Sequence, residues 1–188
     1  MSVGHLLPLS DVWFVSRLPW VVPVVAVTLM VATATSGLVA KWLRVAWVVA
    51  FLLITSTGVI LAGTLTPLST SLGSEPGAVG SCDFTRVGLP DLAEFTRPAD
   101  VLGNVLMFIP LGFAIALAPR SRRKTVVLLG ACALPFLIET TQLLATPLRR
   151  GCQSADVTDN LTGLVLGLAA GTIAARLWPR QSGVPTDT

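Results

Sequence analysis

Residues 45–65 read VAWVVAFLLITSTGVILAGTL, twenty-one positions without one charged side chain. At about 1.5 Å of rise per residue, a helix over this stretch is roughly 30 Å long, which matches the hydrocarbon thickness of a bilayer. A helix satisfies its own backbone hydrogen bonds, the condition for crossing lipid. A helix on the surface of a soluble domain carries a polar stripe facing water, and this run has none. Four further stretches are of similar length and predominantly apolar. They are residues 20–40, closed by Lys41-Trp42-Leu43-Arg44; residues 101–118, closed by Arg120-Ser121-Arg122-Arg123-Lys124; residues 125–145; and residues 157–178. The expected fold class is therefore all-α: a polytopic transmembrane helical bundle with about five spanning helices.

Composition points the same way. The chain is 53% hydrophobic and 12% charged, with a mean hydropathy of +0.77; soluble domains average about 25% charged residues. The net charge of +3 does not imply nucleic acid, because the basic residues punctuate apolar runs instead of forming a stripe. Membrane lipids are the partners this pattern implies. Trp20, Trp42, Trp47 and Trp178 fall near span ends, where amphipathic rings favour the interface. Residues 1–18 carry Pro8, Asp11 and Arg17 among apolar residues and read as a tail or an interfacial segment. They lack the basic start of a cleaved signal peptide. The transmembrane domain is expected over residues 19–178, followed by a flexible tail over 179–188. The many Ala, Val, Gly and Arg residues, with only two Lys, suit a GC-rich bacterial genome.

Orientation follows from Lys and Arg. With the amino terminus outside, the inner segments hold eight of them: Lys41, Arg44, Arg120, Arg122, Arg123, Lys124, Arg176 and Arg180. The outer segments hold five: Arg17, Arg86, Arg97, Arg149 and Arg150. The expected topology in the bacterial cell membrane is N-terminus outside, C-terminus cytoplasmic. Cys82 and Cys152 then both lie outside, where disulfides persist, and are candidates to pair; two free loop thiols are the alternative. Cys132 falls within a span and reads as a packing residue.

A central Asp or Arg costs a spanning helix about 2.5–3.5 kcal/mol on insertion scales, so the polar positions inside spans are informative. The third span opens with Asp100 and places Asn104 one turn inside, with Phe108 and Gly112 on the same face. The fourth carries Glu139 and Gln142, three residues apart and so on one face, with Glu139 roughly 9 Å below the outer boundary. The fifth opens with Asp156, Asp159 and Asn160, then Gly163 and Gly167, again on one face; Arg149 and Arg150 precede it. Because these spans alternate in direction, Asn104, Glu139 and Asp159 are expected at one depth near the outer face. Pro110 and Pro135 interrupt the third and fourth spans and free the carbonyls of Leu106 and Ala131 near the cluster; a harmless proline is an equal alternative. The glycines of the fifth span read as a helix-packing face.

Three blocks now form a recognisable pattern. They are Asp100-Val-Leu-Gly-Asn104-Val-Leu-Met-Phe108-Ile-Pro110-Leu-Gly112-Phe113, then Ile138-Glu139-Thr-Thr-Gln142, then Ser154-Ala-Asp156-Val157-Thr-Asp159-Asn160-Leu-Thr-Gly163. In order and spacing they resemble the VanZ-like family, over about residues 55–178. The run Arg149-Arg150-Gly-Cys-Gln-Ser154 departs from the family pattern, which often has a single Arg or Gly beside a Ser. It leaves open which arginine belongs to the site. The resemblance implies a membrane protein of the cell envelope, linked through the family's namesake to resistance to teicoplanin.

Three readings of the polar cluster stay open. In the first, Asp100, Asn104, Glu139, Gln142, Arg149, Arg150, Asp156, Asp159 and Asn160 form a ligand-binding site for an envelope lipid or the glycopeptide target, with the arginines holding phosphate. In the second, an intramembrane enzyme uses Glu139 as acid or base, and Asp156 or Asp159 orients a nucleophile or holds a metal, with Mg or Ca on carboxylates left open. No Ser/His or Cys/His set supports this, the one histidine is His5, and no zinc ligand set is present. In the third, the polar groups only bond the helices together. No cofactor and no metal are expected, and the oligomeric state is not legible in the sequence.

Overall fold

The computed structural model describes residues 20–67, 80–89 and 101–177. Five helices make the bundle: α1 (Val21–Leu43), α2 (Trp47–Leu65), α3 (Val101–Leu117), α4 (Arg122–Leu144) and α5 (Ser154–Leu177). Two short strands, β1 (Cys82–Asp83) and β2 (Cys152–Gln153), lie in the loops. Asp100, Trp178 and the two tails, 1–18 and 179–188, fall outside the described residues.

Helices α1, α2, α4 and α5 are each long and apolar enough to cross a membrane. At 17 residues, α3 is shorter, about 26 Å. It packs against α2, α4 and α5, and most extensively against α5. The core gathers Leu53, Ile60, Phe108, Ile115, Ile138 and Leu164. Large apolar residues also cover the outside: Met30 is 64% and Leu38 69% exposed, while α1 turns Ala32, Ser36 and Ala40 inward. A helix with small residues facing its neighbours and large apolar ones facing out suits lipid as its solvent. Several hydroxyls in these helices close on their own backbone, as Ser56 donates to Leu52 O and Thr64 to Ile60 O.

The helix ends depart from the predicted spans for local reasons. Helix α1 continues past Ala40 to Leu43, and Arg44 terminates it in the left-handed region at φ 57° with its N–H on Ala40 O. Helix α4 begins at Arg122 instead of Thr125 because Ser121 caps it, its Oγ accepting from Lys124 N at 3.2 Å. The Lys124 ammonium reaches back to Ala116 O and Ala118 O, at 2.9 and 2.8 Å, and so satisfies carbonyls at the end of α3.

Helices α3 and α5 run parallel in close backbone contact. A Cβ at Gly163 would lie 2.1 Å from Val105 O, one at Gly167 would lie 2.1 Å from Ile109 O, and one at Gly171 would lie 2.6 Å from Phe113 O. From the other side, a Cβ at Gly112 would lie 2.2 Å from Leu164 O. Only glycine admits this approach, in which Cα–H groups meet carbonyl oxygens of the neighbour.

The charges separate by end. Lys41, Arg44, Arg120, Arg122, Arg123, Lys124 and Arg176 lie at the end formed by the C-termini of α1, α3 and α5. The opposite end holds Arg86, Arg149 and Arg150 and all four described acids, Asp83, Glu139, Asp156 and Asp159.

Candidate functional site

At the acid-bearing end the loop before α3 is tied to the loop before α5. Strands β1 and β2 pair in parallel, Cys82 beside Cys152 and Asp83 beside Gln153, and Cys152 N donates to Ser81 O at 3.3 Å. Cys82 and Cys152 form a disulfide with their Cα atoms 4.4 Å apart, joining positions 70 residues apart. Cys132 is a free thiol within α4. Beside the disulfide the Thr85 backbone N–H donates to Asp83 Oδ1 at 2.8 Å and holds that carboxyl below its ordinary value.

This tie brings Arg86 over the start of α5. Its guanidinium grips the Asp159 carboxylate with two bonds, Nη1 to Oδ1 at 3.0 Å and Nη2 to Oδ2 at 2.5 Å. The Asp159 side chain is 1% exposed and that of Arg86 21%. Two parallel bonds from a planar fork are the strongest form of such a pair. Ser154, first residue of α5, donates its hydroxyl to Arg86 O at 2.7 Å and to Asp83 O at 3.2 Å, so it also holds the arginine's loop.

A second group of contacts closes the C-terminus of α2, whose last carbonyls have no partner within the helix. Arg150 donates to Gly63 O at 2.7 Å and Thr66 O at 3.2 Å, and Gln142 Nε2 donates to Thr64 O at 2.9 Å. A cation at a helix C-terminus is favoured by the dipole as well. Arg149, by contrast, is exposed and stands in the left-handed region at φ 54°, closing the short 3-10 turn Thr146–Leu148.

Between the two groups sits Glu139. It is 5% exposed, and its Oε2 accepts from Gln153 N at 2.7 Å. Arg150 and Asp156 are its charged neighbours. Pro135 lies one turn earlier on α4 and is buried. Two side-chain amides near these groups are buried with an oxygen that has no hydrogen-bond partner among the described residues: Gln142 Oε1 and Asn160 Oδ1. Asn160 is 1% exposed and Gln142 4%. Such orphan acceptors are uncommon in buried positions and call for a donor.

Of the candidate site residues read from sequence, Glu139, Gln142, Asp159 and Asn160 are buried in this end of the bundle, and Asp156 and Arg150 are half-buried beside them. Asn104 is half-buried on α3, one turn before the fully buried Phe108. Asp100 lies outside the described residues. The arginines divide: Arg150 is turned onto the α2 carbonyls, and Arg149 is not drawn into the cluster. Sequence reasoning counted Arg86 only as an outer charge. Its partner is 73 residues away, and no helical or strand spacing links the two. The β1–β2 pairing was missed for the same reason, since two residues set no period.

Comparison with known proteins gives one family. A family model described as VanZ/LLP1 matches residues 5–175. No curated protein and no solved structure matches the chain. The match reaches well before residue 55, where the motif resemblance begins, and so takes in α1. With three motif blocks converging on one polar end and a match over nearly the whole sequence, this chain belongs to the VanZ/LLP1 family.

Proposed function

We propose that the protein works at the outer face of the bacterial cell membrane, holding the headgroup of an envelope lipid at the disulfide-tied end. By doing so it lowers access of a lipoglycopeptide such as teicoplanin to its surface target. The observation that carries this reading is Glu139: an acid with 5% exposure that accepts the Gln153 backbone N–H, with amide oxygens on Gln142 and Asn160 in the same end of the bundle that have no hydrogen-bond partner among the described residues. A set of acceptors suits a ligand that brings donors, such as hydroxyl, amide N–H or ammonium groups.

This shifts weight away from phosphate held by Arg149 and Arg150. Arg150 is committed to Gly63 O and Thr66 O, and Arg86 to Asp159. Asp159, Arg86 and Arg150 therefore have a building role, while Glu139 is the residue for a ligand. The outward placement of this end rests on the opposite end's excess of Lys and Arg.

The test is glycopeptide susceptibility in a host carrying wild type, Glu139→Gln or empty vector, with membrane abundance measured in each. The expected outcome is tolerance to teicoplanin with wild type alone. Equal protection by Glu139→Gln at equal abundance would remove Glu139 from the site. Wild type indistinguishable from vector would remove the resistance role.

A further inference from the structure

The opposite end carries a second feature that the polar cluster does not use. A cavity of about 320 Å³ lies there among Arg44, Arg120, Ser121, Arg122 and Arg123, where the C-terminus of α1 meets the N-terminus of α4. Next to it a larger cavity of about 580 Å³ runs between α1, α2 and α4, with walls that include Val27, Val31, Val39, Leu53 and Ala131. Trp42 and Leu43 line both, so the two are neighbours across these side chains.

Charge and shape agree at this junction. Arg44, Arg120 and Arg122 are exposed, and among the described residues every acid lies at the other end of the bundle. Arg123 is engaged elsewhere, since its guanidinium donates to Trp42 O and stands 5.7 Å from the centre of the Trp42 ring. It thus holds the shared wall in place. The larger cavity is almost wholly apolar and opens past Val27, Val31 and Trp42, which are 46–53% exposed on the lipid-facing side. From Val27 to Trp42 it follows α1 for roughly 22 Å, more than the ~15 Å depth of one leaflet's hydrocarbon. Orienting the chain requires only that the arginines be on one side. It does not require a cavity between them, nor an apolar groove beside it.

We infer that this is a binding site for one anionic phospholipid, whose phosphate sits among Arg44, Arg120 and Arg122 and one of whose acyl chains lies in the α1–α2–α4 groove. The first turn of α4, capped at Ser121, adds its N–H groups to the phosphate side. This site is separate from the proposed outer site and does not depend on it.

The full-length protein is incorporated into bilayer nanodiscs of phosphatidylcholine containing a minor share of phosphatidylglycerol with a photoactivatable acyl chain, then extracted, irradiated and analysed by native mass spectrometry. The expected result is one phosphatidylglycerol retained over phosphatidylcholine, cross-linked to the lining of the groove. Arg120→Gln/Arg122→Gln should lower that retention about tenfold or more, since each surface cation contributes to the attraction. Gly130→Phe should displace the chain. Gly130 lines the groove, and a Cβ there meets nothing within 4 Å, so the ring starts from open space beside the cavity. No preference for phosphatidylglycerol by wild type would overturn the inference outright. So would unchanged retention in either folded variant. Cross-links confined to lipid-facing surfaces outside the groove, or a groove occupied by residues 1–19 or by a second copy, would overturn it as well. Equal competition by glycerol phosphate would show an anion site without a chain and would also overturn it.

Discussion

At 1% exposure Asp159 has lost its hydration, and Arg86 replaces it with two bonds from a loop 73 residues away. Removing one partner of a buried pair leaves the other without compensation, which typically costs 3–5 kcal/mol; removing both costs far less. Arg86 keeps some contact with solvent, so Arg86→Met is expected at the lower edge of that range, about 3 kcal/mol. Arg86→Met/Asp159→Asn should recover most of it. Thermal denaturation in detergent reads both, and a double variant no better than the single one would show that the pair is not the cause. Among the described residues no arginine grips Glu139 in this way, and Glu139→Gln is expected to change thermal stability by less than about 1 kcal/mol while removing protection against teicoplanin. Both outcomes are read on the same membrane preparations. The split between the two acids was hidden in sequence. Asp159 and Glu139 both appear as acids on the inner face of an apolar helix, and only a fold that delivers Arg86 from a distant loop tells one from the other.

The helix pair α3–α5 depends on glycine as a shape. A methyl group at Gly163 must displace the Val105 carbonyl, which belongs to backbone and cannot swing aside. Gly163→Ala is expected to destabilise by about 1–3 kcal/mol, the usual range for overpacking. Gly103, also in α3, faces open space, and Gly103→Ala is expected to leave the fold unharmed or to stabilise it by up to about 1 kcal/mol. Melting temperatures of the two variants should move in opposite directions, and equal losses would contradict the contact. The helices themselves were legible from runs such as 45–65, because the bilayer sets both their length and their composition. Their inward faces were legible too, from the spacing of Glu139 with Gln142 and of Asp159 with Gly163. The ends were not, because Ser121 as a cap and Arg44 in the left-handed region act through single residues. A parallel neighbour for α3 was also out of reach, since helical periodicity says which face is buried but not against what.

Across the whole molecule, the excess of Lys and Arg is sorted to one end, and the disulfide with the described acids to the other. On the orientation proposed above, a membrane-impermeant maleimide applied to intact cells should label Cys82 and Cys152 only after mild reduction, while Cys132 stays unlabelled within α4. Labelling of neither after reduction, in cells whose lysate does label, would invert the topology. In the chain-entropy picture a bridge between positions 70 residues apart contributes up to about 4 kcal/mol. The membrane reduces that figure, because helices already held in the bilayer have less entropy to lose. Cys82→Ser is thus expected to lower thermal stability by less than that amount. The bond also bears on how the chain is made. On that same proposed orientation Cys82 reaches the outer side once α2 has crossed, but Cys152 arrives only after α3 and α4 have each crossed in turn. Oxidation of the pair is therefore a record that α3 and α4 have crossed: a chain in which α4 stalls keeps its second thiol on the reducing side and stays open. The newly made protein carries its own mark of quality control, written covalently and readable on a non-reducing gel.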